Sequence, residues 1–152
     1  MSQEGVDLET SLGYLLKEAS SALRAAMEAV LRPLGMTVTH YSCLELLAQR
    51  PGLSNSELAR GAFVTRQTMN VLLQGLERDG YVTRPAEARV GKVLPTQLTP
   101  RGRQSLEEAT VAVRSVEVRM LGGMSQEERS GAYKILRSMI HSLRNDEGGS
   151  QR

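Results

Sequence analysis

The sequence has few of the residues that build metal centres or disulfide frameworks. Its 152 residues include one cysteine, two histidines and no tryptophan. A single cysteine cannot form an internal disulfide, which is compatible with a reducing compartment. His40 and His141 are far apart in the chain, and no cysteine pair or His–Glu cluster has metal-ligand spacing, so we expect no metal site.

Sequence signatures of enzymes and of membrane proteins are also missing. We find no glycine-rich phosphate loop, nucleophile elbow or paired acids, so we expect neither an enzyme nor a cofactor. No apolar run reaches about 18 residues and no charged-then-apolar leader is visible, so we expect a cytoplasmic protein. Residues 1–7 and 145–152 are terminal, largely polar and contain glycine, and we predict that both are disordered.

Two short helices are predicted near the middle of the chain. Ser54 and Glu57 have the spacing of a capping box and start the first helix, which Gly61 ends. Thr65 can cap the second helix, and Gly80 lies where a left-handed residue usually ends a helix. Such a pair of helices joined by a short turn is typical of a helix-turn-helix DNA reader.

A helical wheel divides the second helix of this pair into two faces. The face that we predict to lie in the core contains Thr68, Leu72, Gly75 and Leu76, with Val71 at its border. The opposite face contains Arg66, Asn70, Leu73 and Gln74, with Gln67 and Met69 at its edges. Arg, Asn and Gln can pair two-fold with guanine or adenine, although an ordinary solvated helix face has the same composition. On that outer face, Leu73 is either a thymine-methyl contact or a scattered surface leucine.

A predicted β-hairpin follows the two helices. Residues 81–83 and 93–98 have strand character, and the segment 85–92 between them is turn-like and basic. A helix-turn-helix followed by a hairpin is a winged helix. Three cations lie where a wing meets phosphates or the minor groove, namely Arg84, Arg89 and Lys92.

The charge is unevenly distributed along the chain. Residues 37–103 carry nine Lys or Arg against five acids, whereas the other residues carry ten against twelve. A basic middle within a slightly acidic chain favours local binding to a polyanion. The polyanion is DNA in one interpretation, and an acidic protein partner of a winged-helix interaction module in the other.

Amphipathic helices flank this basic region. They are predicted over residues 8–31, 36–49 and 100–121, with a last helix after Ser125. Their caps are expected at Thr37, at the Thr99–Pro100 pair and at a second capping box formed by Ser125 and Glu128.

The flanking helices have apolar stripes that a monomer buries poorly. We therefore predict that residues 8–36 and 100–144 form a dimerisation region around a winged helix at 37–99. A two-fold dimer also places two reading helices about 34 Å apart on a palindromic site. The expected fold class is mainly α with a small β-hairpin wing.

Over residues 8–144 the chain resembles the MarR family of bacterial transcriptional regulators. The resemblance rests on three segments: GMTVTHYSCLELLA, LSNSELARGAFVTRQTMNVLLQGLERDGYVTR and EARVGKVLPTQLTPRG. It implies a dimeric regulator, by default a repressor, with the recognition helix in the major groove and the wing in the minor groove.

The resemblance also implies roles for individual residues. Thr65, Arg66, Gln67 and Asn70 would face DNA, with Ser54 and Asn55 near phosphate. In the wing, Glu87 and Arg89 keep the acid-x-Arg pattern of the family, whereas Ala88 replaces a second arginine that many members have.

Family members are commonly released from DNA by small aromatic or lipophilic ligands, or by oxidation of a cysteine. The family's ligand cleft would here be lined by Leu16, Ser20, Leu23, Arg24, His40, Tyr41 and Leu44. In the alternative interpretation, Arg24 forms an exposed salt bridge, His40 faces solvent and Tyr41 lies in the core. Cys43 is the candidate redox residue, with a small, partly buried side chain as the alternative.

Overall fold

The structure is mainly helical, with a short two-stranded hairpin. It is a computed structural model that describes residues 5–84 and 96–149. Its elements there are helices α1 (Leu12–Leu31), α2 (Val38–Gln49), α3 (Asn55–Gly61) and α4 (Arg66–Arg78), strands β1 (Val82–Thr83) and β2 (Gln97–Leu98), and helices α5 (Pro100–Leu121) and α6 (Gln126–Gly149). The predicted fold class is confirmed. No helix in the described ranges is long and apolar enough to cross a membrane.

Reciprocal capping boxes start α3 and α6, as predicted. The Ser54 hydroxyl accepts the N–H of Glu57 at 3.2 Å, and the Glu57 carboxylate accepts the N–H of Ser54 at 3.1 Å. Ser125 and Glu128 exchange the same two bonds at 3.1 and 3.0 Å. These bonds hold the carboxylates ionised and lower the pKa of both glutamates.

The predicted caps of α2 and α4 are also present. Thr37 accepts the N–H of His40 at 3.1 Å, and Nδ1 of His40 accepts the N–H of Thr37 at 3.3 Å. Thr65 accepts the N–H of Thr68 at 3.1 Å. Gly80, with φ of 85°, follows the end of α4 in the left-handed conformation.

The chain enters α1 later than the sequence pattern indicates. The helix begins at Leu12 rather than Leu8, because a turn precedes it. The carbonyl of Asp7 accepts the N–H of Ser11 at 2.8 Å, and the Ser11 hydroxyl then accepts the N–H of Tyr14 at 3.3 Å. A capping serine therefore sets this boundary, and the apolar periodicity does not.

The last helix is longer than predicted. Helix α6 continues to Gly149, so residues 145–149 of the expected disordered tail are helical. The chain has no proline after Pro100, and each added residue of a helix gains one backbone hydrogen bond. Residues 5–7, from the expected disordered N-terminus, have no helix or strand.

One buried cluster joins α2, α3, α4, β1 and the first part of α5. Its members are Cys43, Leu44, Leu47, Leu58, Ala59, Met69, Leu73, Leu76, Val82 and Leu106. This cluster fixes the helix-turn-helix against the base of the hairpin.

Helix α4 is rotated relative to the predicted wheel. Its buried side chains are Met69, Leu73 and Leu76, whereas Thr68 is exposed. Leu73 has no exposed surface, so it is neither a thymine contact nor a surface leucine. The rotation buries the large side chains of Met69 and Leu73 in place of Thr68, which removes more apolar surface from water.

The hairpin base is tied to α5 through Thr99 and Gly102. Strands β1 and β2 are antiparallel, with Val82 opposite Leu98. The Thr99 hydroxyl donates to the carbonyl of Gly80 at 2.6 Å and accepts the N–H of Gly102 at 3.0 Å. A Cβ on Gly102 would lie 2.1 Å from the carbonyl oxygen of Tyr81, so only glycine permits this approach.

Two compact units make up the chain, residues 1–116 and 117–152. In the first unit, α1 exposes Leu12, Leu15 and Leu16. In the second unit, α6 exposes Ile135, Leu136, Ile140 and Leu143.

Candidate nucleic-acid interface

The predicted reading residues lie on the exposed side of α4. Arg66, Gln67, Asn70 and Gln74 are all exposed, opposite the buried Met69, Leu73 and Leu76. Thr65 is exposed as well, but its hydroxyl is engaged in the cap, since it accepts the N–H of Thr68 and donates to the Thr68 hydroxyl at 2.9 Å. The polar groups of α4 therefore share one face, as a major-groove reader requires.

Helix α3 presents its N-terminus beside this face. Ser54 and Asn55 are both exposed there. The N–H and hydroxyl of Ser54 are occupied by Glu57, so Ser54 acts as a cap. Asn55, the first residue of α3, is the better placed of the two to donate to a phosphate, because helix N-termini favour anions.

An exposed aromatic residue lies in the turn between α3 and α4. Phe63 is 86% exposed and has a positive φ of 59°. Its neighbour Val64 packs against the core, and the N–H of Val64 is bonded to the carbonyl of Ala59 at 3.0 Å. Holding Val64 inward turns Phe63 outward. Phe63 was not predicted from the sequence, although it is the only phenylalanine of the chain and lies between two polar helix starts.

The predicted wing cations divide into two groups. Arg89 and Lys92 lie outside the described residues, as do Glu87 and Ala88. Arg84, at the end of β1, is described and is held against α4. Its N–H donates to Glu77 Oε2 at 3.2 Å, its Nε lies 3.4 Å from the same oxygen, and its Nη1 donates to Asn70 Oδ1 at 3.4 Å.

The larger cavity near the recognition helix lies between α2 and α4. It has a volume of about 540 Å³ and is lined by His40, Gln67, Thr68, Val71, Leu72, Gly75 and Arg78. It is an open groove rather than an enclosed cavity, with a volume within the range of small-ligand sites. A second cavity, with a volume of about 120 Å³, is lined by His40 and Leu44 together with two acids, Asp79 and Glu108. His40 borders both cavities.

His40 is half-buried rather than solvent-facing. Burial lowers the pKa of its imidazole, and the nearby charge of Asp79 partly opposes this. The Nδ1 atom accepts the N–H of Thr37 and therefore carries no proton itself.

The α1 residues that were predicted to line a ligand cleft do not border these two cavities. Leu16, Ser20 and Arg24 are exposed, and Leu23 is partly buried. Arg24 forms a salt bridge at 3.2 Å to Glu28, one turn along α1. Tyr41 packs against the core cluster, and burial raises the pKa of its hydroxyl.

Cys43 lies inside the core, fully buried, with its Sγ 3.8 Å from the Sδ of Met69. Burial raises the pKa of its thiol to about 12, and the thiolate is the reactive form. The redox alternative is therefore not supported.

We expect the Cys43 thiol to react very slowly in the folded protein. At pH 8 a pKa of about 12 leaves roughly a thousandfold less thiolate than a pKa near 9, and burial also blocks access. Iodoacetamide labelling followed by mass spectrometry measures this, with urea-unfolded protein as the reference and Cys43→Ser as the unlabelled control. Equal labelling rates in the folded and unfolded states would contradict it.

Comparisons with known proteins agree on one family. A model described as MarR family matches residues 34–92. The transcriptional repressor Rv2887 of Mycobacterium tuberculosis is 40% identical over 135 residues, which are 89% of this chain and 97% of the relative. The chain belongs to the MarR family.

Solved structures share the fold of this MarR-family protein. Rv2887 of M. tuberculosis in complex with DNA matches with a TM-score of 0.71 and 39% identity, over 86% of this chain and 98% of that one. The same protein in complex with salicylic acid matches with a TM-score of 0.71 and 41% identity, over 86% and 96%. The predicted winged-helix fold and the class of transcriptional regulator are thus confirmed.

Proposed function

We propose that this protein is a dimeric repressor that binds a palindromic DNA operator through α4. The two-sided character of α4 carries the proposal. Its apolar side, which contains Leu73, is fixed in the core, while Arg66, Gln67, Asn70 and Gln74 face outward. The similarity to Rv2887, a repressor whose structure was solved with DNA, supports the same use of this face.

The second copy covers the apolar residues that α1 and α6 leave exposed. Leu12 is 68% exposed and Leu143 is 71% exposed, and each belongs to a helical stripe of similar residues. Contiguous exposed apolar surface of this kind marks interfaces. A two-fold pair also provides the two reading helices that a palindrome requires.

A small aromatic acid is the proposed effector, and the cavity of about 540 Å³ beside α4 is its proposed site. Arg78 provides a cation for a carboxylate, and Val71 and Leu72 provide an apolar wall. The Rv2887 structure with salicylic acid supports this class of ligand. Because Gln67 belongs to both the cavity and the reading face, an occupant competes directly with DNA. The role needs no catalysis, and it places the protein in the cytoplasm with its DNA.

Operator binding is expected to be specific and strongly salt-dependent. If six or more phosphates are contacted, affinity falls about a thousandfold or more between roughly 50 and 200 mM salt. Arg66→Ala is expected to cost about 1–3 kcal/mol at its base pair. Sites selected from genomic fragments, followed by anisotropy titrations, measure both effects.

The matched control is Arg119→Ala, which removes an exposed arginine from the last turn of α5 and should leave binding unchanged. Equal affinity of the wild type for every duplex would contradict a specific regulator. Binding of acidic polypeptides in preference to DNA would favour the interaction-module alternative.

A further inference from the structure

Phe63 occupies a helix end that normally selects glycine. The N–H of Val64 donates to the carbonyl of Ala59 at 3.0 Å, and the N–H of Phe63 donates to the carbonyl of Arg60 at 3.2 Å. These are the two hydrogen bonds of a Schellman motif, in which a left-handed residue, usually glycine, follows the helix. The other positions with a positive φ among the described residues are Gly35, Gly52 and Gly80.

A phenylalanine at this position costs stability in two ways. The left-handed conformation brings the Cβ of an L-residue too close to the following carbonyl oxygen. The ring is also left in water, because Phe63 is 86% exposed. Strained backbone positions of this kind cluster at functional sites. Burial of the ring against a bound partner would offset the cost of keeping it.

The surroundings of the ring favour DNA as that partner. Phe63 precedes Thr65, the cap of α4, by two residues, and the N-terminal residues of a recognition helix contact base edges. Arg60 and Arg66, three positions to either side, are both exposed. The nearest acid in the sequence, Glu57, is engaged in the cap of α3. An apolar protein surface placed here would have to desolvate both arginines, whereas a polyanion pairs with them.

The chemistry of the ring limits which part of DNA it can contact. A phenyl ring has no hydrogen-bond donor or acceptor, so it offers nothing to phosphates or to the polar edges of bases. In the major groove the apolar group is the C5-methyl of thymine, which phenylalanine is able to contact. Deoxyribose carbons are also apolar, but they belong to the backbone and carry no sequence information.

We infer that Phe63 packs its ring against the C5-methyl group of a thymine at the edge of the base pairs read by α4, and is a specificity-determining residue. This rests on the proposed function of α4 as a DNA reader. It adds one apolar contact to a reading face whose other members are polar.

The test uses full-length protein and the selected operator, with one thymine position per half-site replaced at a time by deoxyuracil, which lacks only the methyl group. At one position we expect wild type to lose about fourfold in affinity per half-site, the effect of leaving one methyl unburied. Phe63→Gly should bind the thymine operator more weakly by at least that factor. It should also bind the thymine and deoxyuracil duplexes equally at that position, as measured by fluorescence anisotropy.

Thermal unfolding provides a second measurement on the same variant. Phe63→Gly removes both the strain and the exposed ring, so the midpoint should rise by about 2–4 °C while operator affinity falls. Phe63→Asn is the second variant, because asparagine tolerates the left-handed conformation without the flexibility of glycine. It should also lose the discrimination between thymine and deoxyuracil.

Val6→Gly is the matched control, because it removes a 74% exposed apolar side chain that lies ahead of α1. It should retain both the affinity and the sensitivity to deoxyuracil of the wild type.

The possible outcomes separate the two proposals. If the deoxyuracil effect persists in Phe63→Gly, another residue reads the methyl group, and the inference alone is overturned. A loss of affinity in Phe63→Gly with no deoxyuracil effect in the wild type would assign the ring to the deoxyribose backbone, with the same result. A lower unfolding midpoint in Phe63→Gly would give the ring a structural role and also overturn the inference. A wild type that prefers no duplex at all overturns the proposed function, and this inference with it.

Discussion

Replacing Gly102 with alanine is expected to lower the free energy of unfolding by about 3 kcal/mol. The new Cβ would lie 2.1 Å from the carbonyl oxygen of Tyr81 and 3.1 Å from its carbonyl carbon. Both atoms belong to the backbone, so no side-chain rotation relieves the overlap. That oxygen also accepts the N–H of Thr99 at 3.1 Å, so moving it breaks a bond at the hairpin base.

Gly131→Ala is the matched control for this substitution. Gly131 lies within α6, and no atom lies within 4 Å of the position its Cβ would take. There alanine should stabilise the protein by up to about 1 kcal/mol, because it is the better helix former. Urea unfolding followed by circular dichroism measures both variants. If both variants change the free energy of unfolding in the same direction, the close approach of α5 to Tyr81 is contradicted.

Leu73→Ala should lower the free energy of unfolding by about 2–5 kcal/mol, the range for a buried leucine. Leu73 has no exposed surface and lies in the cluster that joins α4 to the rest of the winged helix. Thermal or urea unfolding is the direct measurement.

Val71→Ala, two positions earlier, provides the contrast. Val71 is 63% exposed, so its truncation should change stability by less than about 0.5 kcal/mol. If Leu73→Ala is as stable as the wild type but binds DNA poorly, the buried position of Leu73 is contradicted. Leu73 would then lie on the outer face of α4, as the helical wheel predicts.

The features that the sequence predicted well are encoded by residues close together in the chain. The caps at Thr37, Ser54, Thr65 and Ser125 each need a hydroxyl and a partner within three residues, so spacing alone identifies them. Gly80 was predictable for a similar reason, since a left-handed helix end selects glycine.

The orientation of α4 was not predictable in the same way. Apolar residues at positions 69, 71, 72, 73 and 76 cover more than half of its circumference, so periodicity allows several buried faces. Packing against helices α2 and α3 and strand β1 determines which face is buried, and the pattern within α4 does not contain that information. The contacts of Arg84 with Glu77 and Asn70 also depend on that packing, and the sequence did not predict them.

The residues that line a ligand cleft were also only partly predictable from the sequence. His40 and Leu44 border cavities, as the resemblance to the MarR family implies, but Arg24 is instead paired with Glu28 along its own helix. A salt bridge one turn apart is compatible with almost any position of α1, so its sequence pattern carries no information about a cleft.

The two hydrogen bonds of the Thr99 hydroxyl couple the recognition helix to α5. The hydroxyl bonds to Gly80 at the end of the recognition helix and to Gly102 in the first turn of α5, at 2.6 and 3.0 Å. The side chain of a single residue thus joins these two points. We therefore expect a displacement of the first turn of α5 to move the end of the recognition helix as well, because the two hydrogen bonds of Thr99 couple them.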